Sequence, residues 1–320
     1  MAITNISVFE NASTTYKTLA DEIFGQKPPG VFSAYTTVMP TDGKIVEHDV
    51  IEAFPVVREW SGAKQFPDAQ AASVTLTMKT YEASFRIKRL DLATDRTGSI
   101  GRRLQMFLQE QAYIYDKLAH EALIANATGY DGVALIHASH PRGPAGATQS
   151  NTTTSALSFS TFETAMVAGA SLRDANSEPL AISYDLLRVG PKLASVAREI
   201  TGSSERVVGI DSAGAIDSGT RLAAATIPNV RGVQVFSGGS VNVVVDPRLV
   251  GTHDDYWYLV DTKRGAMPLV GYEFRSPEAI SLDAMDGEAR FESDYFKYSV
   301  ECDVVFGPGA WQTIYGGIVS

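Results

Sequence analysis

The chain has 320 residues, 44% of them hydrophobic and 20% charged, enough to bury one large or two medium cores without a metal or a disulfide to hold them. A net charge of −10 argues against a surface that condenses on nucleic acid through lysine and arginine. No stretch approaches the roughly 20 apolar residues of a membrane span, the single cysteine excludes an internal disulfide, and the start MAITNISVFENASTTYK carries no signal-peptide pattern, so synthesis in the cytoplasm is expected.

In NASTTYKTLADEIFG, Tyr16, Leu19, Ile23 and Phe24 recur at helical spacing, and Gly25 stops the pattern. QKPPGVFSAY then reads as an extended connection, because a residue before proline is pushed out of the helical region. Residues 1–35 are therefore expected to form an arm.

From Ser73 onward, Val74, Leu76 and Met78 share one face; after a one-residue change of phase near Thr80, Tyr81, Phe85 and Ile87 share another, which predicts a bulge. Alternation over about 18 residues at roughly 3.3 Å each makes a strand of about 60 Å, too long for a compact domain. GKIVEHDVIEAF is its expected partner and REWSGAKQFPDAQ the joining tip. That tip mixes the charges Arg58, Glu59, Lys64 and Asp68 with the aromatics Trp60 and Phe66, a combination typical of interfaces. A two-stranded ribbon is marginal alone in water. These six residues are accordingly the candidate contacts with another subunit.

DRTGSIGRRLQMFLQEQAYIYDKLAHEALIANATG carries Leu104, Phe107, Leu108, Tyr115, Leu118, Ala122 and Leu123 as one apolar stripe. It predicts a single helix of about seven turns, roughly 40 Å long at 1.5 Å per residue, with Thr97 or Ser99 as N-cap and Gly129 as stop. A strand in YDGVALIHASHPRG, a polar loop at 143–155 and a helix at about Phe159–Asp174 follow. YDLLRVGPKLASVAREI reads as strand, turn and helix with Pro191 at the helix start. A glycine- and alanine-rich loop at 202–225 leads to strands in VQVFSGGSVNVVVDPRLVG and YWYLVD, and the chain closes with long alternating strands in EARFESDYFKYSVECDVVFGPGAWQTIYGG. Strands from both halves around one long helix make an α+β plan.

The motifs that could carry chemistry are incomplete. His137 and His140 stand three apart, but Pro141 ends any helix that would set them on one face, and on a strand they point to opposite sides. A zinc site wants four ligands; the pair reads instead as a strand ending in a turn. DSGT, Asp217–Thr220, matches the short aspartic-protease signature without the second copy that two carboxylates sharing a proton require, and reads as a loop. DDYWYLVD, 254–261, groups carboxylates with aromatics but alternates like a buried strand. Cys302, within YSVECDVVF, reads as a small buried hydrophobe. No catalytic residue, metal ligand or cofactor is assigned.

Taken together, REWSGAK (Arg58–Lys64), KTYEASFRIKRLDLATDRTG (Lys79–Gly98), DGVALIHASHP (Asp131–Pro141), LLRVGPKLASVARE (Leu186–Glu199), DPRLVG with WYLVD (within Asp246–Asp261) and FKYSVECDVVFGPGAWQTIY (Phe296–Tyr315) resemble the major capsid proteins of tailed bacteriophages, more narrowly the Mu-like major head subunit family. Two departures stand out: the acidic pair usual after the arm is here the separated Asp91 and Asp95, and the aromatic pair usual before the histidines is Leu135 and Ile136. The resemblance implies a Hong Kong 97 phage-type capsid fold. It would comprise an N-terminal arm (1–35), an extended loop lying over a neighbour (36–80), a peripheral domain with a spine helix (81–155), an axial domain (156–265) and a return to the peripheral domain (266–320). The implied function is an icosahedral shell of hexamers and pentamers around a double-stranded DNA genome, in a virion assembled in the bacterial cytoplasm. The implied partners are the chain itself, a portal, a separate scaffolding protein, room for a decoration protein, and DNA by non-specific proximity only; no membrane is involved. A bacterial nanocompartment shell of the same fold is the alternative, and a hydrolase using Asp217 or the histidine pair the alternative of a different class. Lys64 alone, with no acceptor identified, does not establish a crosslink.

Overall fold

The computed structural model describes residues 16–25, 30–53, 70–95, 98–142, 147–202, 205–210, 216–217, 223–228, 241–282 and 295–319. The chain divides into two compact units, one made of Met1–Glu47, Thr75–Ile124 and Val270–Gly307 and the other of His48–Val74, Ala125–Leu269 and Pro308–Ser320. Both mix helices with strands, as the α+β reading expects.

Helix α1 (residues 16–25) leads through a 3-10 turn (Val31–Ala34) to β1 (Thr36–Pro40), after which β2 (Ile45–Ala53) and β3 (Gln70–Thr77) pair as a two-stranded sheet. Next come β4 (Lys79–Lys88), α2 (Arg89–Thr94), α3 (Ser99–Gln111) and α4 (Ile114–Ala125). They are followed by β5 (His140–Arg142), β6 (Ala147–Gln149), β7 (Thr152–Thr153), α5 (Phe159–Ala170), β8 (Leu186–Val189) and α6 (Ala194–Gly202). Then β9 (Glu205–Ile210), β10 (Ile216–Asp217), β11 (Ala223–Pro228), β12 (Asn242–Val245) and β13 (Trp257–Val260) lead to the closing strands β14 (Leu269–Leu282), β15 (Tyr295–Pro308) and β16 (Ile314–Gly317).

In the first unit the sheet order is β1-β14-β15-β4. Strand β15 alternates, and its inner face carries Phe296, Tyr298, Val300, Cys302 and Val304, all buried. Against the first three of these pack Tyr16 and Ala20 of α1 and Ile100, Leu104 and Leu108 of α3, a stripe at a spacing of four. The Tyr16 ring meets Tyr298 edge-on at 4.9 Å, and its hydroxyl donates to the Ser299 carbonyl at 3.0 Å. Helix α1, which the sequence reading places in the arm, thus supplies part of this core. The connection after it is held as well: Asp116 of α4 accepts the Phe32 N–H at 2.8 Å.

Three expectations need correction here. The long strand from Ser73 is two strands: β3 pairs with β2 and β4 with β15, and Met78 between them donates its N–H to the Lys44 carbonyl at 2.9 Å. The β4–β15 register runs unbroken from Lys79 opposite Val304 to Lys88 opposite Tyr295. The phase change near Thr80 therefore accompanies an exchange of partner, not a bulge. Secondly, the seven-turn helix is divided. The Tyr113 N–H reaches back three residues to the Glu110 carbonyl at 3.2 Å, and this tightened turn separates α3 from α4. On the far side Leu118 packs with Cys302 and Val304, further along β15. Thirdly, α3 starts at neither expected cap: Gly98, left-handed at φ 64°, lets the Asp95 carboxylate accept the N–H groups of Ser99 (3.2 Å) and Ile100 (2.8 Å). The stop is likewise Asn126, left-handed at φ 47°, rather than Gly129.

The second unit is built on a five-stranded sheet, order β12-β8-β13-β16-β7. β12 runs parallel to β8 and β16 to β7, while β13 is antiparallel to both its neighbours. Every residue of β8 and β13 is buried, which explains their near-continuous apolar runs LLRV and WYLV. The one charge in these strands, Arg188, is paired: its Nε donates to Asp246 Oδ2 at 3.0 Å, its NH2 donates to the same oxygen, and its guanidinium lies 5.3 Å from the Tyr258 ring centroid. Pro191 opens a 3-10 turn that runs into α6, as the sequence reading placed it. A three-stranded sheet β10-β9-β11 and the β5-β6 pair complete the unit.

Candidate functional site

The histidine pair is a structural joint. His140 is fully buried at the start of β5, and its ring lies flat on Trp311, centroids 3.9 Å apart. Asn151 fixes its hydrogen bonding. The Asn151 Nδ2 donates to the carbonyls of Leu135 (2.9 Å), Trp311 (3.1 Å) and Ile314 (3.2 Å), so its Oδ1 is left to accept, from the His137 N–H at 2.8 Å and from His140 Nε2 at 3.1 Å. The other ring nitrogen, Nδ1, faces Asp131 Oδ2 at 2.6 Å. His137 Nδ1 accepts the Ser139 N–H at 3.1 Å. The two rings do not point to opposite sides as expected of a strand; they stand edge to face at 6.0 Å, because β5 begins only at His140. This network joins the segments around residues 131, 140, 151 and 311. Nothing in it pairs a nucleophile with a base.

The remaining motifs resolve similarly. Among the described residues no three His, Cys, Asp or Glu side chains converge as metal ligands. Cys302 is buried on β15, and burial, reinforced by Asp303 and Glu273, pushes its thiol up to about 11, which is the opposite of an activated nucleophile. Ile216 and Asp217 form β10, while Ser218–Thr220 of the DSGT motif lie outside the described residues. Tyr256 precedes β13, and Trp257–Val260 form its buried core.

The site proposed from sequence is the ribbon. Its base is β2 with β3, paired as expected, but Arg58, Glu59, Trp60, Lys64, Phe66 and Asp68 lie outside the described residues. In the first unit, apolar side chains stand exposed on several elements: Ile45 at the start of β2, Leu90 on α2, Met106 on α3 and Phe274 on β14. Helix α3 shows both faces of its pattern, with Ile100, Leu104 and Leu108 inward and Arg102, Arg103, Met106, Gln109 and Glu110 outward. Sequence reasoning missed Asp131, Asn151 and Trp311 as the partners of His140. No spacing could have linked them to it, since Trp311 is in a different part of the chain and Asn151 acts through backbone carbonyls.

Residues 71–316 match a family model described as phage capsid protein. Among solved structures the chain is similar to the procapsid of bacteriophage JBD30, at 18% identity over 97% of this chain and 74% of that chain, TM-score 0.54. It is also similar to Microbacterium phage Oxtober96, at 13% identity over 91% and 90%, TM-score 0.53, and to a virus-like particle from Pyrococcus furiosus, at 10% identity over 95% and 98%, TM-score 0.53. No curated protein matches the chain in sequence.

Proposed function

The chain belongs to the phage capsid protein family and has the Hong Kong 97 phage-type fold, and from that premise we propose that it is the major head subunit of a tailed phage, self-assembling as hexamers and pentamers into an icosahedral shell around double-stranded DNA. The observation that carries this reading is the family match across 71–316, which covers parts of both compact units. The separate β2–β3 sheet supports it, since two strands alone are marginal in water and gain stability by lying on another subunit. In this reading the ribbon tip, Arg58 to Asp68, makes the contact, and the partition into arm, extended loop, peripheral and axial domains follows the boundaries given from sequence. The protein's role is structural. A portal, a separate scaffolding protein and a decoration protein are its partners, placement in the Mu-like branch belongs to the same reading, and assembly takes place in the host cytoplasm. The acidic balance suits a wall that DNA enters after the shell has formed.

Electron microscopy of the purified protein tests this: closed shells or ring-shaped capsomers are expected, and a protein that stays monomeric at high concentration would sink the reading. The likeness to the Pyrococcus furiosus virus-like particle supports a second reading, a shell enclosing cargo other than a phage genome. Particles from the native source that hold the gene for this chain within packaged DNA decide for the first.

A further inference from the structure

Helix α3 turns Ile100, Leu104 and Leu108 inward, and a second stripe runs along its flank. Arg103, Met106, Phe107 and Glu110 recur there at spacings of three and four, and with Gln109 they line a recess of about 510 Å³. Met106 is 69% exposed, Arg103 and Glu110 are exposed, and Phe107 is half-buried beside Phe85, ring centroids 4.6 Å apart. Among the described residues neither Arg103 nor Glu110 is in an ion pair. Seven positions set them two turns, roughly 10 Å, apart along the helix, outside the three- and four-residue spacings at which helical charges meet. Lys117 and Glu121 of α4, four positions apart, do meet, at 4.0 Å.

The stripe is complementary to itself. Its cation and its acid stand at equal distances on either side of a centre between Met106 and Phe107. A copy of the helix turned end for end about that centre sets each Arg103 beside the Glu110 of the other copy and gathers both pairs of Met106 and Phe107 side chains in the middle. Resting on the shell-forming reading above, we propose that α3 is a two-fold contact of this protein, in which the Arg103, Met106, Phe107 and Glu110 stripe receives the same stripe of a second, antiparallel copy.

Opposite charges at the two ends and apolar groups at the centre are what a two-fold contact between identical surfaces requires, since every residue that meets another must be met by it in turn. A surface that faces an unrelated protein needs no such symmetry. The centre takes the exposed Met106 out of water and sets its thioether beside aromatic rings, a favourable sulfur contact. Exposed ion pairs add little affinity. Here they fix orientation, because a parallel copy would bring Arg103 against Arg103 and Glu110 against Glu110. The helix is formed before the contact is made, so only its side chains are ordered by it. A patch of this size is weak alone and gains strength from repetition around a closed shell.

The test uses assembled particles. Met106→Cys puts a thiol next to the two-fold axis in both copies, while the native Cys302 is buried and does not compete. Mild oxidation is expected to give disulfide-linked dimers on non-reducing gels and no larger species, whereas Gln105→Cys, exposed on the other side of α3, is expected to give none. A ladder of larger multimers, a bond to a different protein, or no bond in shells that form normally overturns the proposal while leaving the shell-forming reading intact; failure of the wild-type chain to form shells sinks that reading instead. Independently, Arg103→Glu and Glu110→Arg should each lower particle yield about tenfold by setting like charges against each other across the axis, and the double variant should restore it. Circular dichroism of the single variants separates a folding defect from an assembly defect. Wild-type yield from both single variants, or a double variant no better than either, would show that the stripe does not meet itself.

Discussion

His140 and Trp311 stack face to face, their planes 4° apart, although they are 171 positions apart in the chain. The stack closes over a hydrogen-bonded pair in which the His140 and Asp131 side chains are 0% and 3% exposed. Replacing Trp311 with Ala empties a buried aromatic site and should cost about 3–5 kcal/mol. His140→Ala and Asp131→Ala should each cost about 1–3 kcal/mol by removing the hydrogen bond between two buried side chains, although each partner keeps another bond, His140 to Asn151 and Asp131 to the Val133 N–H. The double variant should cost clearly less than the two together. Urea denaturation of these four variant proteins measures this, and strict additivity of His140→Ala with Asp131→Ala would mean that the two side chains do not act as a pair.

Asp95 caps α3 from outside the helix. Asp95→Ala should lower stability by about 1 kcal/mol, Asp95→Asn by less, and Gly98→Ala by about 1 kcal/mol because only glycine takes φ 64° without strain. Thermal melting of the three variants tests the assignment. A melting temperature unchanged by Asp95→Ala would return the cap to the expected Thr97 or Ser99.

Burial raises the Cys302 thiol from 9.0 to about 11 and raises the Tyr16 and Tyr115 hydroxyls as well, the latter also through its hydrogen bond to Glu273. Each group prefers its protonated form in the folded chain, so the folded state holds more protons than the unfolded one in alkali. The contribution of Cys302 is complete below pH 9 and is lost as the pH rises toward 11. Stability measured from pH 8 to 11 should fall, and Cys302→Ala should flatten the early part of that fall. A thiol reagent at neutral pH should label the protein only after unfolding.

The ribbon tip is where assembly and folding should separate. Trp60→Ala/Phe66→Ala should keep the melting temperature of the subunit, because the core around Tyr298, Leu104 and Leu108 does not need the tip. Particle formation should suffer, each lost anchor costing on the order of 2 kcal/mol per contact. Normal particles from the double variant would remove these aromatics from the interface.

Arg188 and Asp246 offer a contrast between pairing and burial. Asp246→Ala should cost about 3–5 kcal/mol by stranding the guanidinium inside β8, whereas Arg188→Met/Asp246→Leu should cost far less because it removes both charges at once. Equal losses in the single and double variants would contradict the desolvation argument.

Local pattern was legible in the sequence because period and side-chain type report which face of an element is buried. The alternation of Phe296, Tyr298, Val300, Cys302 and Val304, the stripe Leu104–Leu108, the start of the 3-10 turn at Pro191 and the partnering of β2 with β3 are all of this kind. So was the structural character of the histidines and of Cys302. What covers a buried face was not legible, since periodicity is silent about the partner. The division of the long helix at Tyr113 depends on two different stretches of β15 beneath it, the exchange of strand partners at Met78 on which distant strand each half meets, and the cap of α3 on the Asp95 carboxylate standing at the N–H groups of Ser99 and Ile100. Asn151 is the clearest case. Its role comes from carbonyls at 135, 311 and 314 that only the folded chain brings within 3.2 Å of one amide, and a buried polar group draws its meaning from the partners that satisfy it.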